Sequence, residues 1–93
     1  MPTFEDCLKD AAVLAQDVVN AWGLNVQAGN RDLLTAEFLD VFEKACRYQE
    51  KKQSADFYRT RNALSEEHAQ AEDAARRTFI QAYLPWVEKH RSV

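Results

Sequence analysis

The chain has 93 residues, of which 46% are hydrophobic and 29% are charged, and its formal net charge is −3. This composition excludes a disordered chain, and no apolar run approaches the roughly 18 residues that a membrane span needs. The length predicts one domain over residues 1–93, small enough to bury only roughly 60–65% of the surface that the unfolded chain exposes.

The distribution of glycine and proline predicts the fold class. Gly23 and Gly29 lie close together, and the two prolines are Pro2 and Pro85. Because residues 30–84 contain neither residue type, helices are expected there rather than a sheet. The sequence predicts an all-α fold, a small antiparallel bundle of three helices. Their expected ranges are about 4–22, 31–52 and 55–88.

The first predicted helix begins with Thr3 as N-cap and Asp6 three residues later, the pattern of a capping box. Its apolar residues share one half of the helix, and only Val13 falls on the polar side. Gly23 is expected to end this helix in the left-handed conformation. Residues 24–30 are then predicted to form a loop.

The second predicted helix has three candidate N-caps, Asn30, Asp32 and Thr35. Its apolar residues cover about half of the circumference, so it needs two neighbours and is expected at the centre of the bundle. Its apolar pattern ends near Lys52, and Ser54 is the candidate cap of the next helix.

The third predicted helix is long, and Ser65 before Glu66 and Glu67 is a candidate break. The alanine-rich stretch at residues 69–75 leaves room for the close approach of a neighbouring helix. Pro85 lacks a backbone donor, so it is expected to kink or end the helix nearby.

The end of the third helix, from Phe79 to Val87, is apolar on two faces rather than one. Two alternatives stay open for the second face. Leu24 and Val26 of the loop cover it within the chain, or it contacts another molecule. The favoured prediction is a homodimer or partner interface. Its residues are Ile80, Tyr83, Leu84, Trp86 and Val87.

Charge is unevenly distributed along the chain. Residues 1–43 carry a net charge of −6, residues 44–61 carry +4 and residues 62–93 carry −1. The basic segment also contains aromatic residues, a pattern that binds phosphates and stacks bases, so a nucleic-acid-associated factor is the alternative function. An acidic protein patch is another partner for these bases. The alternative basic patch consists of Lys44, Arg47, Lys51, Lys52, Tyr58, Arg59 and Arg61.

The sequence contains no catalytic, cofactor or metal signature, and no catalytic residue is predicted. His68 and Glu72, one helical turn apart, supply at most half of a metal site, because no second ligand pair follows. Cys7 and Cys46 do not form a C-x-x-C pair and are expected to be reduced thiols among apolar neighbours.

The predicted function is therefore non-enzymatic, that of a small regulator, inhibitor or adaptor that binds another protein and forms a homodimer. The acidic first segment is a further candidate surface, for a basic partner or as an imitation of nucleic acid. The start of the chain lacks the basic and apolar regions of a signal peptide, so the expected location is the cytoplasm, without membrane contact.

Overall fold

A computed structural model of the chain describes residues 3–30, 32 and 34–91, with side chains through Lys89. The described part is all-α, which confirms the predicted class, but it contains four helices rather than three. The helices are α1 (Phe4–Lys9), α2 (Ala11–Gln27), α3 (Ala36–Thr60) and α4 (Glu66–Arg91).

The predicted first helix is divided into α1 and α2. α1 begins with the expected capping box, in which the Thr3 hydroxyl accepts from the Asp6 N–H at 3.1 Å and the Asp6 carboxylate accepts from the Thr3 N–H at 3.2 Å. Asp10, with φ −100° and ψ 12°, leaves the helical conformation and separates the two helices. No glycine or proline marks this break, so the sequence does not predict it.

The end of α2 differs from the prediction because Gly29, not Gly23, takes the left-handed conformation, with φ +76°. The Asn30 N–H donates to the Asn25 carbonyl at 2.9 Å, and the Gly29 N–H donates to the Val26 carbonyl at 3.2 Å. These are the two hydrogen bonds of a Schellman motif. The predicted helix end at Gly23 is wrong, since α2 continues through that residue.

α3 begins after Thr35, whose hydroxyl accepts a hydrogen bond from the Phe38 N–H at 3.3 Å. Thr35 is thus the cap among the three candidates, and α3 begins later than the predicted start near residue 31. The break predicted at Ser54 is wrong, because α3 continues to Thr60.

A second Schellman motif ends α3, with Asn62 in the left-handed conformation at φ 53°. The Ala63 N–H donates to the Tyr58 carbonyl at 2.8 Å, and the Asn62 N–H donates to the Arg59 carbonyl at 3.1 Å. Asparagine tolerates this conformation better than other non-glycine residues, so the helix ends here without a glycine. The candidate break near Ser65 is confirmed, and the first part of the predicted third helix belongs to α3.

α4 starts with Ser65, whose hydroxyl accepts a hydrogen bond from the His68 N–H at 3.2 Å. The helix continues through Pro85 to Arg91, so of the two expected alternatives, a kink or a helix end at this proline, the helix end does not occur. Pro85 offers no N–H to the carbonyl of Gln81, four residues earlier.

α3 and α4 pack against each other in antiparallel directions. Lys89 Nζ donates to Glu37 Oε1 at 2.7 Å near one end of the pair, and Arg59 donates to Glu72 at 3.3 Å near the other end. The rings of Tyr48 and Phe79 stack between these ends, with centroids 6.3 Å apart.

α2 packs on α3, and α1 packs on α4. The rings of Trp22 and Phe42 stack with centroids 4.7 Å apart, and Gln49 donates to Gln16 at 3.2 Å, so α2 also runs antiparallel to α3. The core forms where the helices meet. Its residues are Cys7, Leu8, Ala11, Ala15, Val18, Phe38, Val41, Ala45, Tyr48, Phe79 and Ile80.

Candidate protein-binding surfaces

The structure places the predicted partner face of α4 largely inside the protein. Ile80 is fully buried, while Tyr83, Leu84 and Trp86 are partly buried against the core. Val87 is half-buried. The interface predicted at these residues stays a prediction. Only the exposed parts of Tyr83, Leu84, Trp86 and Val87 are accessible to a partner.

The N-terminal helices cover this face of α4. Cys7 of α1 and Leu14 of α2 line a small cavity of about 160 Å³ together with Tyr83, Leu84 and Val87. The second apolar face therefore contacts other parts of the same chain, because α1 and α2 together provide enough apolar surface to pack against it.

In the alternative that buries this face within the chain, Leu24 and Val26 are not the cover. Because α2 continues through Gly23, Leu24 belongs to the helix and not to a loop, and its side chain is 67% exposed. Val26 is 37% exposed. These residues add to the exposed apolar surface instead of covering another part of it.

The bases of the alternative basic patch lie in different surroundings: Lys52 lines a pocket beside residues of α2, whereas Lys44, Arg47 and Lys51 lie beside α4. Lys52 Nζ donates to Asp56 at 2.7 Å, and Arg59 donates to both Asp56 and Glu72. The hydrogen bond from Lys52 lowers the pKa of the Asp56 carboxyl below its usual range. Lys52 and Arg59 thus have acidic partners within the chain.

The aromatic part of the patch is also engaged within the chain. The Arg61 guanidinium lies 3.8 Å from the centroid of the Phe57 ring. The Tyr58 ring lies 4.5 Å from the ring of His68. Tyr58 therefore packs against α4, whereas Phe57 is 52% exposed beneath Arg61.

The other three bases of the patch share a groove between α3 and α4, which we call the α3/α4 groove. Lys44, Arg47 and Lys51 form its α3 wall, and its volume is about 220 Å³. Lys44 pairs with Asp40 at 2.5 Å and Arg47 with Glu43 at 3.9 Å, whereas Lys51 forms no ion pair with a described residue. The opposite wall is uncharged. It consists of Ala71, Ala74, Ala75 and Thr78.

The half metal site suggested by the sequence is occupied by contacts within the chain. His68 Nδ1 lies 2.6 Å from the Ser65 hydroxyl, and Glu72 accepts a hydrogen bond from Arg59. Among the residues that the structure describes, no three potential metal ligands cluster.

Both cysteines are free thiols, as predicted. Cys7 is buried and Cys46 is half-buried. Burial raises the pKa of both thiols, which keeps them in the protonated form.

Sequence reasoning missed the outward face of α2, which we call the α2 face and define as Val13, Asp17, Asn20 and Leu24. All four side chains are exposed, and Asp17 is the one charged residue among the 17 residues of α2. Their spacing of four, three and four places them on one side of the helix. The stripe becomes visible in the sequence once the helix is extended through Gly23.

No protein-family model matches the chain, and no curated protein or solved structure is significantly similar to it. Within the described ranges, no helix is long and apolar enough to cross a membrane.

Proposed function

We propose that the protein acts by contact rather than by catalysis, as a small regulator, inhibitor or adaptor that binds an acidic segment of another protein in the α3/α4 groove. The observation that carries this proposal is the pairing of two different walls. One wall holds Lys44, Arg47 and Lys51, and the other is made of small uncharged side chains.

The spacing of the bases favours a helical partner. Lys44, Arg47 and Lys51 follow one another at three and four residues, so they line about 10 Å of one side of α3. A partner helix with acidic residues at the same spacing can meet all three. Lys51 has no acidic partner among the described residues, so a carboxylate placed there gains an attraction without breaking an existing pair.

The α4 wall favours the close approach of such a helix. Ala71, Ala74 and Ala75 have one side-chain carbon each, and Thr78 is the largest side chain on this wall. A partner backbone can therefore approach α4 closely while its acidic side chains reach across to α3. The exposure of these charges limits each ion pair to about 0.5 kcal/mol, so the expected affinity is modest.

Nucleic acid is the alternative partner, and the contacts of the basic residues favour it less. Lys52 and Arg59 have acidic partners of their own, and Tyr58 packs on His68. Three bases with one neighbouring uncharged wall are a short track for a phosphate backbone.

The proposed location is the cytoplasm, where the two free thiols of Cys7 and Cys46 would stay reduced. Self-association belongs to the same proposal, since a chain of this size gains stability from a second copy.

A peptide made of three Glu-Ala-Ala-Leu-Glu-Ala-Ala repeats is a direct probe of the groove. We expect fluorescence anisotropy to detect its binding to the wild-type protein, with an affinity that decreases as salt is added. Replacing Lys44, Arg47 and Lys51 with Glu should weaken binding roughly tenfold or more, because three pairs of about 0.5 kcal/mol are lost. The Lys9→Glu variant changes an exposed base on α1 and should bind as the wild type does.

A matching peptide with Lys in place of Glu should not bind. The proposal is wrong if the acidic peptide binds the wild type and the triple variant equally, or binds neither. Single-stranded and duplex oligonucleotides, titrated with salt under the same conditions, test the alternative. Tighter, salt-sensitive binding of either one, lost in the triple variant, would favour the nucleic-acid function instead.

A further inference from the structure

We propose that the α2 face is the contact surface for a second copy of this chain, with the two α2 helices antiparallel. In this arrangement Val13 of one copy contacts Leu24 of the other, and Asp17 lies beside Asn20 of the other copy. The inference is independent of the α3/α4 groove, because the groove contains no residue of α2.

The first observation is that exposed apolar side chains concentrate on α2. Of the five large apolar residues that are exposed among the described residues, three belong to this helix, Val13, Leu24 and Val26. Val13 and Leu24 are the two most exposed, at 62% and 67%. Asp17 is the one charge on the helix, whereas an ordinary surface helix carries charged residues along its outward face.

The spacing of the α2 face is that of a helix-pairing seam. Its residues follow at four, three and four, the alternation of the a and d positions of a heptad. An antiparallel copy related by a two-fold axis between Val18 and Val19 places Val13 opposite the partner's Leu24 and Asp17 opposite the partner's Asn20. The interface is then isologous, and every residue of the seam meets a complementary residue.

Asp17 and Asn20 are the central polar residues of the seam. The hydrogen bonds within the monomer leave polar groups of both side chains available for bonds to a second copy. Gln16 receives a hydrogen bond from Gln49 at 3.2 Å and donates one to Asn20 Oδ1 at 3.0 Å. The Asn20 carbonyl is thus used inside the chain, and its amide N–H groups have no acceptor among the described residues. Asp17, which has no donor within the described part of the chain, is the matching acceptor on the other copy.

A second copy fits this surface better than an unrelated partner because the seam contains both halves of each contact. The apolar pair and the acceptor–donor pair both occur on the same four residues, so no other sequence is needed to satisfy them. The two Asp17 carboxylates are also offset by three residues, or about 4.5 Å along the axis, which reduces their repulsion. Polar residues at seam positions fix the register of such helix pairs.

The contact is small, since one helix face meets one helix face. An interface of this kind lies below the standard size for stable complexes, so we expect a dissociation constant of about micromolar or weaker. The dimer population should therefore depend strongly on protein concentration.

Sedimentation velocity over a wide concentration range is the first test. We expect the wild-type mass to rise from that of the monomer towards twice that value, and Leu24→Asp to stay monomeric. Phe57→Asp is the matched control, because Phe57 is also exposed but lies on α3, and it should associate as the wild type does. Circular dichroism should show the same helix content in all three proteins, since both changed side chains are exposed.

Disulfide trapping tests the register in the full chain, with Cys7→Ala and Cys46→Ala replacing the native thiols. Chains with Val13→Cys, mixed with chains with Leu24→Cys, should form crosslinked heterodimers in preference to either homodimer. In the proposed register, two copies of residue 13 lie about 16 Å apart along the axis, beyond the reach of a disulfide.

Three results would overturn the inference. The first is a wild-type protein that stays monomeric up to about millimolar concentration and gives no mixed crosslink. The second is equal loss of association in Leu24→Asp and Phe57→Asp. The third is preferred crosslinking between identical positions, which would indicate parallel or random contact.

Discussion

α2 and α4 show opposite relations between apolar sequence and surface. α4 carries nine charged residues, and its apolar Phe79 and Ile80 are fully buried. α2 carries one charged residue, yet it leaves Val13 and Leu24 exposed. The comparison teaches that the apolar end of α4, residues 79–87, lies largely inside the protein, so apolar sequence alone does not mark a contact surface. The polarity of the exposed positions is the better guide.

The sharpest test of this comparison is removal of a buried side chain from α4. Ile80→Ala should lower the free energy of unfolding by about 2–5 kcal/mol, because it leaves a cavity among fully packed neighbours. Denaturant unfolding followed by circular dichroism measures this change. Leu24→Ala, on exposed α2 surface, should change it by no more than about 0.5 kcal/mol.

If Leu24→Ala destabilised the monomer as much as Ile80→Ala, the assignment of surface and core to the two helices would be wrong. The oligomeric mass gives the complementary result. Ile80→Ala should retain the association of the wild type wherever it is folded, whereas changes at Leu24 should reduce it.

Substitution of each of the two glycines of the α2 segment by alanine should change the free energy of unfolding by an intermediate amount, with opposite signs. Gly29→Ala should destabilise the protein by about 1–2 kcal/mol, because φ +76° is unfavourable for a residue with a side chain. Gly23→Ala should stabilise it by roughly 0.5–1 kcal/mol, since the added carbon meets no atom within 4 Å and alanine favours the helix interior. Thermal unfolding of both variants checks the signs. A stabilising Gly29→Ala would contradict the Schellman motif.

The smallest expected effect concerns acid. Hydrogen bonds from Arg77 and Arg76 lower the pKa of Asp73 below its ordinary value of 3.8. The ionised Asp73 carboxylate therefore contributes fully to the free energy of unfolding above about pH 4. This contribution is lost as the pH falls through the lower pKa of the folded state. Because Asp73 is partly exposed, the contribution should stay below about 1 kcal/mol.

Acid unfolding curves of the wild type and of Asp73→Asn provide the measurement. Asp73→Asn should flatten the decrease of stability below about pH 4, because it removes the carboxylate that accepts hydrogen bonds from Arg77 and Arg76. An unchanged curve would show that acid sensitivity does not belong to these α4 ion pairs.

The helix class and two caps could be predicted from sequence because they depend on local chemistry. Thr3 with Asp6 forms the expected capping box. Ser65, which the sequence offers as a candidate break, is the cap of α4. The helix ends were harder, since Gly23 and Gly29 are equal in sequence and only the hydrogen bonds around Gly29 decide between them. Asn62 ends α3 without a glycine, a choice that residue type alone indicates weakly.

The candidate surfaces were predicted less well, because exposure depends on contacts between distant segments. The sequence alone predicts Ile80 at the surface, because it does not show that α1 and α2 pack over α4. The basic patch reads as one cluster because its members are close in sequence. In three dimensions Lys44 and Lys51 face the groove, while Lys52 turns to Asp56. A change of one residue rotates a side chain by about 100° around a helix.

The position of the α3/α4 groove relative to α2 has a consequence for binding strength. α2 contacts α3 through Phe42 and Gln49, whereas the groove uses Lys44, Arg47 and Lys51, so it opens on the other side of α3. A pair of chains joined through α2 presents two outward grooves. When a target has two acidic segments, binding of the second segment is intramolecular. The high effective concentration then makes the overall affinity much higher than that of one groove alone.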